Sequence, residues 1–168
     1  SSVRAIGVFF CGIFLIAGCK QDPSEGPVDN TVAYDGTPYT LTYGQFPPPP
    51  IALDNALTAE GVKLGRMLFY ETDLSLDGSM SCASCHRQQH AFSDSSQFSI
   101  GVHGLPGARQ AMGVFNMAWN TNNFFWDGRA PLLRDQSLRP IQDSLEMAET
   151  LDNVINKLNA DQAYRDQF

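Results

Sequence analysis

Positive charge is scarce in this chain: 11 Lys and Arg stand against 18 Asp and Glu, for a net charge of −7. That balance argues against the clustered basic surface on which nucleic-acid binding relies, and no nucleic-acid partner is expected. No apolar run is long enough to cross a bilayer as a helix, which takes about 20 residues. The longest, Ala5 to Ala17, falls short of it. No segment alternates apolar and polar residues as a half-buried strand does, and there is no internal repeat. Cysteine and histidine are also rare, at four and three, so where they fall carries information. What remains is a chain of 168 residues, 43% of them hydrophobic. That length allows one domain, or one domain with a tail.

The short apolar run comes after a single basic residue, Arg4, and has the length of a signal-peptide core. It ends in Ile16-Ala17-Gly18-Cys19, which resembles the lipobox of bacterial lipoproteins, where the cysteine is lipidated and becomes the mature N-terminus. Residues 1–18 are therefore expected to be a lipoprotein signal peptide, and Cys19 a lipid attachment to the membrane. Export would leave only Cys82 and Cys85, in an oxidising compartment where free thiols pair or are used covalently.

Residues 19–50 are rich in Pro, Gly, Asp and Thr and end in four prolines, Pro47 to Pro50. Such a run favours polyproline II and reads as a semi-rigid, mostly solvated tether. The folded domain is expected at 51–168. Thr58 reads as the N-cap of a helix running to about Tyr70. A second helix is expected over Arg109 to Trp119. The clearest starts after Thr150, where Leu151, Val154, Ile155 and Leu158 recur at helical spacing. A last helix is read over 161–168, with Tyr164 and Phe168 on one face. The class is mainly α, with long loops at 73–81 and 93–107. Loops of that length are uncommon in a compact domain unless something else organises them.

The candidate organiser sits in "SMSCASCHRQQHAF", residues 79 to 92, where Cys82, Cys85 and His86 spell C-x-x-C-H. In c-type haem attachment the two thiols bind the two vinyl groups and the adjacent histidine supplies an axial nitrogen to iron. Three alternatives compete. A redox C-x-x-C expects a βαβ context, which the sequence lacks. Zinc could take Cys82, Cys85, His90 and His103, but the histidines are twelve residues apart where about three to five is usual. A plain disulfide is awkward in so short a loop. The sixth iron position would separate an electron carrier from a catalyst. Its candidates are His90, His103, Met112, Met117 and Met147, and His90 is expected to sit in solvent.

Three segments together resemble the bacterial dihaem cytochrome c peroxidase and MauG-like family in its N-terminal, peroxidatic haem domain. They are "LGRMLFYETDLSLDGSMSCASCH" at 64–86, "FFWDGRAP" at 124–131 and "RPIQDSLEM" at 139–147. The resemblance implies a cytochrome c-like haem domain with Cys82 and Cys85 bound to the porphyrin and His86 as proximal ligand. It implies that Trp126 carries electrons between two haems, and that Gln136 and Glu146 lie on the peroxide side. Glu146 would act as acid and base, because cleaving peroxide to water requires a proton to pass from one oxygen to the other. Gln136 would orient the peroxide.

The chain departs from the family pattern at three points. Family peroxidases place a ligating histidine in an Ile-Gly-His-Gly context, whereas here Ile100-Gly101-Val102-His103-Gly104 carries one extra residue. Ligation by His103 is left open. Arg109 is followed by Gln110 where an asparagine marks a calcium site, so calcium is left open too. One C-x-x-C-H is present where the family has two, and the chain is read as the N-terminal portion of a longer protein whose second haem domain is missing. The expected activity is a haem oxidoreductase of the periplasm, reducing hydrogen peroxide to water with electrons from a small donor protein, a cytochrome c or cupredoxin. The alternatives are MauG-like oxidation of a partner protein and a monohaem electron-transfer cytochrome with methionine on iron.

Overall fold

The computed structural model describes residues 35–167. The expected signal peptide at 1–18 and the lipid attachment expected at Cys19 lie outside the described residues, as does Phe168. Among the described residues six α-helices occur in the order α1 (Ala59–Tyr70), α2 (Cys82–Cys85), α3 (Leu133–Ser137), α4 (Arg139–Gln142), α5 (Leu151–Ala160) and α6 (Gln162–Arg165). Short 3-10 turns at Thr72–Leu74, Gln88–His90 and Met117–Trp119 join them. Among the described residues there is no strand, only four isolated bridges, and no helix long and apolar enough to cross a membrane.

The two longest helices start where their capping residues stand. Thr58 accepts the Gly61 N–H at 3.1 Å and Thr150 accepts that of Asn153 at 3.3 Å, each satisfying a donor that the first turn leaves unpaired. On α1, Leu64, Met67 and Leu68 recur at i, i+3, i+4 and pack on the core. On α5, Val154 and Leu158 are buried, whereas Ile155, at the edge of the apolar stripe, is exposed. The core they share also holds Leu74, Met80, Ile141, Met147 and Tyr164. On α6, Tyr164 donates its hydroxyl proton to Glu71 at 2.6 Å, and burial together with that carboxylate pushes the phenol's pKa up.

The helix expected over Arg109 to Trp119 is absent apart from the Met117–Trp119 turn. The backbone is used elsewhere: Val114 N–H donates to Phe92 O at 3.1 Å, and Asn116 sits at φ +56°, outside helical geometry. Residues 35–50, the end of the segment read as a mostly solvated tether, are mostly exposed and are pinned to the domain at a few points. Tyr39 N–H donates to Leu57 O and Ala59 N–H to Thr37 O, both at 2.9 Å. The polyproline carbonyls have no donors of their own to pair with, and the Trp119 indole N–H takes one, Pro47 O, at 2.8 Å. The Trp119 ring meets Tyr43 and Phe46 at 6.5 and 5.7 Å.

A charged strut holds the turn before α2 against α5. Lys157 Nζ lies 2.6 Å from a carboxylate oxygen of buried Glu149 and donates to Ser75 O at 2.7 Å. Glu149 also accepts the Thr150 N–H and the Asn153 amide. Lys157, ahead of these hydrogen bonds, holds the Glu149 carboxyl below its usual pKa. A carboxyl lowered on folding stabilises the protein above its unfolded value, about 4.3, and that contribution is lost as pH falls through the folded value. Lys157→Met is accordingly expected to cost on the order of 2 kcal/mol at pH 7, read as a lower denaturant midpoint. It should also flatten the loss of stability on acidification below about pH 4.3.

Candidate functional site

The C-x-x-C-H stretch forms the single turn of α2 and its exit. Ser81 N–H donates to Ser84 Oγ at 3.0 Å at the start of the turn, and His86 N–H closes it on Cys82 O at 3.0 Å. Both cysteines are free thiols, half-buried, on this one turn. Burial, the leading cause in each case, raises both thiol pKa values, the opposite direction from the lowered thiol of a redox C-x-x-C.

The loop after α2 orients His86. Ala91 and Phe92 adopt φ of +54° and +55°, turning the chain back so that Phe92 N–H meets Arg87 O at 2.8 Å. Phe92 O then lies 3.1 Å from His86 Nδ1. A carbonyl only accepts, so Nδ1 carries the proton and the lone pair falls on Nε2. This is the arrangement of a histidine that ligates metal through Nε2.

His86 and Cys85 open onto a cavity of about 340 Å³, within the ordinary range of cofactor pockets. Its apolar wall includes Met112, Val114, Met117, Phe124, Phe125 and Leu145, and Gln136, Trp126 and Glu146 are also among the lining residues. The cavity thus gathers residues from 85–86, 99–101, 107–117, 124–129 and 133–146. A thiol pair on one turn, a histidine whose Nδ1 is taken by a carbonyl and a largely apolar cavity wall that also holds polar groups fit a covalently attached haem. Cys82 and Cys85 would hold it and His86 would face its metal.

Among the described residues, Glu146 carries no hydrogen bond or ion pair on its carboxylate, and burial first, then the Asp143 charge, raises its pKa against the opposing pull of Arg129. Its backbone is pinned: Val102 N–H donates to Glu146 O at 2.8 Å. Next to it, a Cβ on Gly101 would come within 2.6 Å of Leu145 C and 2.8 Å of Glu146 O, so only glycine lets the two segments approach.

Trp126 is 62% exposed, and its indole N–H donates to Gln110 O at 2.9 Å. It stands on a tight turn closed by Phe124 N–H to Ala130 O at 2.8 Å, with Phe125 and Gly128 both at φ +70°. Within this turn Asp127 binds Arg129 and Arg109, each at 2.9 Å, and the hydrogen bond from Arg129, ahead of that from Arg109, holds its carboxyl down to about 2.

Of the residues read as sixth-position candidates, Met112 and Met117 line the cavity. Met147 is buried in the core instead. His103 is exposed, and neither it nor His90 is among the residues lining the cavity. Among the described residues no three His, Cys, Asp or Glu side chains gather as a metal site, so the alternative zinc set is not brought together. Gln110, at the position considered for calcium, donates its amide to Asp94 O at 3.3 Å. Three residues of the site, Gly101, Asp127 and Arg129, have no role in the sequence reading. The signal for the last two is the Asp-Gly-Arg turn directly behind Trp126.

The sequence profile of the family described as di-haem cytochrome c peroxidase matches residues 59–168. The methylamine utilization protein MauG of Methylorubrum extorquens is 40% identical over 114 residues, 68% of this chain and 32% of its own length. The cytochrome c peroxidase Ccp of Escherichia coli is 39% identical over 123 residues, 73% of this chain and 26% of its own. A crystal structure of a MauG-like protein associated with microbial copper homeostasis superposes with a TM-score of 0.70 at 32% identity. That match covers 77% of this chain and 39% of the other. The fold is mainly α and cytochrome c-like, and the chain spans about a third of the length of the relatives it matches.

The contact at Gly101 predicts that Gly101→Ala costs about 2 kcal/mol, as overpacking does. Gly65→Ala on α1, where a Cβ meets nothing within 4 Å, should instead stabilise by up to about 1 kcal/mol. Denaturant midpoints of the two variants test the pair.

Proposed function

We propose, from the premise that the chain belongs to the di-haem cytochrome c peroxidase family, that its folded domain is the peroxide-reducing haem domain of a periplasmic enzyme. The observation that carries this reading is the convergence of His86, Gln136 and Glu146 on one cavity beside the thiol pair. When bound, the haem supplies an iron centre at which peroxide accepts electrons from a small donor protein. Everything else falls to the chain's own side chains. Cys82 and Cys85 fasten the cofactor, and His86, its tautomer fixed by Phe92 O, presents Nε2. Gln136 offers an amide to orient hydrogen peroxide. The Glu146 carboxylate takes a proton from one peroxide oxygen and returns it to the other, so that water leaves. Burial of Glu146 serves this exchange, because an acid–base group works best with a pKa near the working pH. The apolar wall limits water around the reacting oxygens.

Trp126, exposed beside the cavity, would pass electrons from a second haem carried elsewhere in the full protein. A lipid on Cys19 would tether the enzyme to the membrane, and the donor would be a cytochrome c or cupredoxin. A second reading is MauG-like oxidation of a partner protein, favoured by the MauG match at 40% identity. The two separate on assay of the full-length protein with reduced cytochrome and peroxide: rapid turnover supports the first, and none removes it.

Within the first reading, Glu146→Gln should lower peroxide turnover by about 10²–10⁴-fold at unchanged haem content. The wild-type acid limb should lie above the ordinary carboxylate value of about 4.3 and disappear in the variant. Unchanged turnover in Glu146→Gln would remove the carboxylate from the mechanism.

A further inference from the structure

We propose that Arg109 and Arg129, held together by Asp127, form the carboxylate-binding end of the cavity and receive the propionate groups of the haem. The inference rests on the haem-domain reading of the chain.

Among the described residues, Arg109 and Arg129 are the only lysine or arginine side chains lining the cavity. They come from different segments and converge because Asp127 offers one carboxylate oxygen to each, at 2.9 Å in both cases. The Arg129 guanidinium also lies over the Phe125 ring, 3.7 Å from its centroid, and Phe125 is itself part of the wall. That contact holds the guanidinium against the wall. A guanidinium has five N–H donors in a planar array that matches a carboxylate. One contact with Asp127 uses few of them, and neither arginine side chain has another acceptor among the described residues.

Charge points the same way. Two guanidiniums on one carboxylate gather the positive charge of the lining at one place in a cavity wall that is otherwise apolar over much of its surface. Asp143 and Glu146 also line it, and Arg129 acts on the Glu146 carboxyl through its charge, but among the described residues no ion pair joins either carboxylate to the arginines. A haem is built to the same asymmetry, with an apolar macrocycle and two carboxylates at one edge. Both arginines are about half exposed, as suits the edge of a cofactor that meets water while its ring is covered. Asp127 is then a positioning residue. It keeps the two forks side by side on a turn whose geometry is set by Phe125 and Gly128.

The test uses the haem-loaded protein and needs no peroxide. In Arg109→Gln/Arg129→Gln, the protonation coupled to haem reduction should move up by about one pH unit or more, since carboxylates lose their cationic partners. The propionate bending bands in the resonance Raman spectrum should shift with it. If both readouts stay at their wild-type positions with haem fully attached, the proposal is overturned. If the double variant yields no haem-loaded protein, Arg109→Lys and Arg129→Lys keep the charge but lose the planar fork. Shifted bending bands in either support the proposal, and unshifted bands in both overturn it. The Glu146 variant tests the catalytic reading by turnover, so the two can fail separately.

Discussion

One hydrogen bond orders the site: His86 Nδ1 to Phe92 O. It decides which imidazole nitrogen is free, and so decides that the ring can face a metal. The same carbonyl accepts Val114 N–H, which draws the 109–114 segment over the turn bearing the thiols. Two consecutive non-glycine residues with positive φ, Ala91 and Phe92, bring that carbonyl into place. Each costs on the order of 1 kcal/mol, a strain the domain tolerates because the loop's contacts over-determine it. Phe69 on α1 packs edge-on against Phe92 at 6.2 Å, linking the loop to the longest helix.

The rest of the domain is arranged around a space rather than around a large core. Its buried cluster joins α1, α5, α6 and the 72–81 turn, while Met112, Val114, Met117 and Phe125 remain only half-buried along the cavity. Apolar side chains left in that condition gain from a flat apolar partner, roughly 25 cal/mol for each Å² covered. A covalently held porphyrin would supply one. The long irregular segments 93–107 and 109–116 then have a common explanation, since both line or brace the cavity and neither needs regular secondary structure to be held. Asp94, buried and bonded to Ser96 N–H and Ser99 Oγ, braces the first of them from within.

Much of this is legible in the chain. Thr58 and Thr150 mark the starts of α1 and α5 because capping is a local interaction, settled within three residues. C-x-x-C-H announces its chemistry because two thiols and an imidazole at that spacing have few uses. The helix expected at 109–119 does not form because its periodicity competes with a long-range contact, Val114 to Phe92, that no local pattern reveals. The packing of Tyr43 and Phe46 on Trp119 is hidden for the same reason: the partners stand more than seventy residues apart. Gly101 reads in the sequence as part of a ligand loop, whereas its role is steric and depends on Leu145 and Glu146. Asp127 and Arg129 are eclipsed in the sequence by Trp126 beside them, and Arg109 reaches Asp127 only in the folded chain.

The central claim is that α2 carries a tetrapyrrole bound through both thiols, with His86 beneath it. Intact-mass measurement of protein produced in a haem-attaching host tests it most directly. The account predicts an added mass of one haem on the wild type, retained under denaturing conditions, and none on Cys82→Ala/Cys85→Ala. An unmodified wild-type mass from such a host, or a haem adduct that persists without the two cysteines, would contradict it.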